Sequence, residues 1–188
     1  MSWSPTSATA LCCPRRVAHP PPSGEPLQDF LANLIEERYP QDGVHGHLHP
    51  LRLLAAAPAF CDRYGLPETA FLWAIAFHDI ARDNEDEDEA HGRAGAEDLS
   101  ALYPDTCTGL VEAILVQHCL SQEPSGPWAK EVAFFKDLDA LDRLRFGPAS
   151  DIRYEMIAGD REDWEEVFRE LLTCREWEEM MAIISKLL

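Results

Sequence analysis

Residues 67–80 read PETAFLWAIAFHDI, and this stretch decides how the chain is built. Pro67 suits the first turn of a helix, where its missing N–H costs nothing. From Ala70 to Phe77 every side chain is apolar. A helix that is apolar all round belongs at the centre of a helical domain, not on its surface. It runs directly into His78-Asp79, so a polar pair is delivered to the edge of the core. Each such group costs roughly 2–7 kcal/mol if it is buried without a partner. An imidazole and a carboxylate can be satisfied together by one divalent ion of the Mn, Fe, Co, Ni or Zn type. They can also be satisfied without one, with His78 capping the helix and Asp79 opening a turn.

Outward from this segment the chain reads as helix almost throughout. Leu27, Phe30, Leu31, Leu34 and Ile35 recur at helical spacing, and Pro40 closes that element. A His/Gly-rich loop leads to a helix from about Leu48 to Tyr64, ended by Gly65, with Pro58 expected to kink it. Asp83 to Glu89 holds six acids in seven residues and reads as a solvated loop. Further helices are expected at about 90–103, 105–119 and 127–145, and Gly147-Pro148 breaks the chain. From Asp160 to Leu188 the apolar positions, Trp164 to Ile184, mark an amphipathic helix with a break near Thr173. No strand pattern or repeat interrupts the series. The expectation is an all-α, single compact helical domain over residues 25–188. Residues 1–24, which hold five of the 14 prolines, are expected to form a disordered leader.

Composition narrows the partners. The 188 residues carry 34 acidic against 16 basic side chains, a formal charge of −18. Such a chain repels nucleic acid and anionic membrane surfaces. A small anion remains possible, because a bound cation reverses the local field. Six cysteines at irregular spacing, with no Cys-x-x-Cys pair, read as reduced thiols of a cytoplasmic protein. The N-terminus has no secretory pattern, and no stretch reaches membrane-span length. Phosphate-binding, dinucleotide-binding, Gly-x-Ser-x-Gly and His-Glu-x-x-His motifs are absent from the sequence.

The histidines concentrate the chemistry, since six of the seven lie between His45 and His118. His49 sits near a helix start, in His45-Gly46-x-x-His49-x-x-Arg52. Asp139 lies in Asp137-Leu138-Asp139-Ala140-Leu141-Asp142-Arg143, which sets carboxylates in an apolar helical pattern. The ordered set His49, His78-Asp79, Asp139 resembles the HD-domain superfamily of metal-dependent phosphohydrolases, over about Gly43 to Arg145. The doublet is followed by Ile80-Ala81-Arg82, and the stretch from His78 to Arg93 is similar to a poorly characterised branch. The resemblance implies that His49, His78, Asp79 and Asp139 hold a divalent transition metal. It also implies a small phosphate ester or nucleotide as substrate.

His91 and His118 occupy contexts where dinuclear members of that superfamily bind a second ion, so one or two metals are expected. As plain helix-end residues, both histidines have a structural reading too. Arg82 is the first choice for a phosphate clamp, with a surface ion pair as its alternative. Asp83 is a candidate general base, although many related hydrolases carry an acid where Arg82 stands. His45 and His47 are candidates for supporting the first ligand, and His45 for touching substrate. Arg52 and Arg143 are expected to tie helices together. Gly92, Ala94, Gly95 and Ala96 would let their helix pack close to the site. Two further readings stay open. A minority of the superfamily oxygenate small substrates at a di-iron pair, and the chain could also be a non-catalytic module that keeps its metal as a clip.

Overall fold

The computed structural model describes residues 24–41, 43–82, 89–147 and 152–187. The expected leader and the acidic stretch that contains Asp83 lie outside these, apart from Gly24 and Glu89. The described residues form eight α-helices and one short 3₁₀ turn, with no strand. None of these helices is long and apolar enough to cross a membrane.

The apolar stretch forms α3 (Glu68–Phe77), whose residues Phe71 to Phe77 are all buried. It packs against α1 (Leu27–Arg38), α2 (Leu48–Tyr64), α4 (His91–Leu102) and α5 (Gly109–Gln117). Burying each large apolar side chain contributes about 1.5–3 kcal/mol, so α3 anchors the core. Its C-terminal cap His78 therefore emerges in the middle of the molecule.

Within α2, Pro58 does not end the helix, which continues to Tyr64. A proline at this position removes the donor for the Leu54 carbonyl. The Gln28 side chain of α1 supplies the missing hydrogen bond, donating Nε2 to Leu54 O at 2.8 Å. Gly65 then terminates α2 in the left-handed region, φ +63°.

Two glycines set the approach of α4. A Cβ on Gly95 would stand 2.4 Å from the Phe77 carbonyl oxygen, and one on Gly92 would stand 2.1 Å from that of Leu115. No side chain fits at either place, so α4 lies against the ends of α3 and α5.

The expected long helix at 127–145 is α6 (Ala129–Leu141) followed by the 3₁₀ turn Asp142–Arg145. The expected C-terminal helix is divided into α7 (Arg161–Leu171) and α8 (Trp177–Leu187). The break falls where the Thr173 hydroxyl and N–H both turn back to the Glu170 carbonyl. The Glu179 carboxylate then accepts from the N–H groups of Arg175 and Glu176, which starts α8.

Candidate metal centre

The ends of five helices and the loop before α2 converge on one cavity of about 450 Å³, lined by His45, His49, Asp79, His91, His118 and Asp139 among others. The histidines come from different elements for different local reasons. His49 lies in the first turn of α2. His78 and His118 are the C-terminal caps of α3 and α5, and His91 opens α4. All four rings are buried.

One group of donors forms around His49 and His78. Their Nε2 atoms are 3.0 Å apart. Asp139 Oδ1 lies 3.1 Å from His49 Nε2 and 3.8 Å from His78 Nε2. Asp79 Oδ2 lies 3.7 and 3.6 Å from the same two nitrogens. A second group forms on the other oxygen of Asp79. His91 Nε2 is 3.2 Å and His118 Nε2 3.9 Å from Asp79 Oδ1, and these two nitrogens are 3.1 Å apart. Asp79 thus stands between two pairs of imidazoles, one oxygen turned to each.

The outer contacts decide what these nitrogens can do. His78 Nδ1 donates to the Ile75 carbonyl and His118 Nδ1 to the Leu115 carbonyl, both at 2.8 Å. A carbonyl only accepts, so each of these rings spends its proton outward and, when neutral, turns an Nε2 lone pair inward. His49 Nδ1 does the same toward the Asp142 carboxylate at 2.8 Å. Lone pairs of His49 and His78 then face each other at 3.0 Å and repel unless a proton or a cation lies between them. Burial, above all, pushes the His78 pKa down to about 4, which disfavours a proton on that ring. The donor set therefore fits a cation, and imidazole with carboxylate suits first-row divalent metals.

The carboxylates are ready for the same role. Burial by itself raises the Asp79 carboxyl, but the surrounding imidazoles, His78 first and then His118, His45 and His91, hold it well below the usual range when they turn a proton toward it. Asp139 follows the same pattern: burial raises it, and His49 outweighs burial. His45, an expected supporting residue, donates Nδ1 to Asp79 Oδ2 at 2.7 Å and fixes that carboxylate.

The three aspartates of α6 and its end separate cleanly. Asp137 turns away and accepts from the N–H groups of Glu155, Met156 and Ile157. Asp139 faces the cavity, with about a third of its side chain exposed. Asp142 is fully buried and grips His49, Arg52 and Arg145.

Two expectations change. Arg52 ties α2 to the 3₁₀ turn through Asp142, as expected. Its expected companion Arg143 does not: it is exposed and lines the cavity. Arg145 makes the tie instead, donating to Asp142 O and Val44 O, because the tighter 3₁₀ turn brings i and i+3 onto one face. The second change concerns His47, which does not line the cavity of the candidate metal centre. It lines a separate cavity with Glu36, Glu37 and Arg175, since it lies two residues before His49, near the opposite side of the helix start. Arg82 lines the main cavity and pairs with Asp79 Oδ1 at 3.8 Å.

Arg145 and Cys119, neither of them an expected site residue, also stand on the cavity wall. The 3₁₀ turn that re-aims Arg145 has no signature in an apolar helical pattern. Cys119, next to His118, was the signal available for the other.

No family model, no curated protein and no solved structure matches this chain.

Proposed function

We propose that the chain is a metal-dependent phosphohydrolase of the HD superfamily, acting on a small phosphate ester or nucleotide. One observation carries the reading. Two groups of metal-ligating side chains share Asp79 in a cavity whose walls also bear Arg82, Arg143 and Arg145. In a chain of net charge −18, a cavity lined by three guanidiniums against three carboxylates, Asp79, Glu89 and Asp139, is a local departure. Guanidinium forks match phosphoryl oxygens in geometry as well as charge.

His49, His78, Asp79 and Asp139 would hold one divalent ion, and Asp79, His91 and His118 a second. Such ions acidify water and offset charge on phosphoryl oxygens. The chain's own residues do the rest. Asp142 and the carbonyls of Ile75 and Leu115 aim the imidazoles, as outer partners do for metal-binding histidines. His45 holds Asp79 in place between the two groups. Arg82 and Arg143 take the phosphoryl oxygens of the substrate, while Arg145 is held on the cavity wall by its counter-ion Asp142.

A second reading, di-iron oxygenation of a small substrate, is favoured by the same sharing of Asp79 between two histidine pairs. A screen of phosphorylated metabolites for released phosphate, run with Mn, Co, Ni, Mg and Zn, separates the two. Turnover that falls at least roughly tenfold in Arg82→Ala supports the hydrolase. No phosphate release from any compound, together with two bound irons and a mixed-valence signal, replaces it with the oxygenase.

A further inference from the structure

We propose that Cys119 is a thiolate ligand of the second ion, which makes that position a sulfur-bearing site for soft metals. The inference rests on the two-ion reading above.

Donor atoms of His91, His118 and Cys119 all lie within 4.8 Å of one another. Gly92 is the reason they can. A Cβ there would stand 3.0 Å from Cys119 Sγ as well as 2.1 Å from the Leu115 oxygen. Without it, the first turn of α4, which carries His91, closes on the end of α5, which carries His118 and Cys119. Cys119 also lines the main cavity, together with His91, His118 and Asp79. Its present contacts are weak ones, Sγ to Glu89 O at 3.5 Å and to Val116 O at 3.8 Å. Neither contact is a strong hydrogen bond, so little is lost if the sulfur turns to a metal instead. Cys61, Cys107 and Cys174 belong to no such group among the described residues.

The chemistry differs between the two positions. The first offers two imidazoles and two carboxylates. The second offers two imidazoles, one carboxylate oxygen and one sulfur. On binding, the thiol proton leaves to solvent and the sulfur lone pair forms the metal bond, with no change of oxidation state. Thiolate selects Zn, Co or Fe over Mn and Mg, so the two positions would sort different ions.

The test is a cobalt(II) titration of the metal-stripped, full-length protein, reading bound cobalt and the near-ultraviolet thiolate-to-cobalt absorption together. The absorption is expected to grow with the second equivalent and to vanish in Cys119→Ser, which binds that equivalent roughly 10–100-fold more weakly. Iodoacetamide labelling of the wild-type chain, mapped by peptide, gives a readout that needs no variant. The second equivalent of Zn should shield Cys119 from the reagent. Two bound cobalt ions with no such absorption, or with an unshielded Cys119, overturn the thiolate and leave the two-ion centre standing. A chain that never binds more than one cobalt overturns both.

Discussion

Asp139 and Asp142 are three residues apart and chemically identical, yet their surroundings give them opposite duties. Asp142 is fully buried between Arg52, Arg145 and His49. Removing its charge leaves two guanidiniums without a counter-ion, and burial already pushes both of them down to about 10. Breaking a buried pair of this kind costs about 3–5 kcal/mol. Asp142→Asn should therefore lower the melting temperature of the metal-free protein clearly and weaken metal binding roughly 10–100-fold through His49. Asp139 touches only the His49 and His78 side of the cavity and is partly exposed. Asp139→Asn should leave the metal-free melting temperature within a few degrees and abolish metal binding at neutral pH. Calorimetry beside metal analysis reads both variants. If Asp142→Asn empties the site and Asp139→Asn does not, the two assignments are exchanged.

At the scale of elements, Pro58 and Gln28 form a pair that no single helix explains. The proline leaves the Leu54 carbonyl without its helical donor, and Gln28 reaches from α1 to supply one. An unsatisfied buried carbonyl costs about 1–3 kcal/mol. Gln28→Ala should destabilise the protein by that amount. The loss should be much smaller in a Pro58→Ala background, where a backbone N–H at that position restores the helical bond. Equal losses in both backgrounds, measured by urea unfolding, would show that Gln28 acts through other contacts.

The same pair marks what the sequence could disclose. Periodicity located α1, α2, α3 and the capping glycine, because one face of each helix must be apolar. The resemblance to the HD-domain superfamily, carried by the order of residues along the chain, singled out His49, His78, Asp79, His91, His118 and Asp139. Neither signal could reveal that Gln28 mends α2, since that bond spans 26 residues. Nor could they reveal that the helix over 127–145 tightens into a 3₁₀ turn at Asp142. That local change sends Arg145 inward and leaves Arg143 on the cavity wall, the reverse of the simplest helical reading.

For the molecule as a whole, the centre is a product of how α3, α4 and α5 meet. His78 and His118 each cap a helix and spend Nδ1 on the carbonyl three residues back. The two caps stand with ring centroids 5.3 Å apart. The glycines of α4 then bring His91 within 3.1 Å of His118. Asp79 follows His78 directly and so faces both sides of this junction. A helical assembly that met less closely would leave His91 and His118 as ordinary helix-end histidines. The count of bound ions is thus a measure of the packing. The double variant His91→Ala with His118→Ala removes two imidazoles but leaves Gly92, Gly95 and the α3 anchor in place. It should fold, with unchanged helical circular dichroism, and hold one ion where the parent is expected to hold two. The remaining ion should stay on His49, His78, Asp79 and Asp139, and be lost on further change of Asp139 to Asn. Metal analysis after loading with excess Fe or Mn, followed by desalting, reads the count. A parent chain that holds no more than one ion under those conditions would remove the dinuclear centre and, with it, the oxygenase alternative.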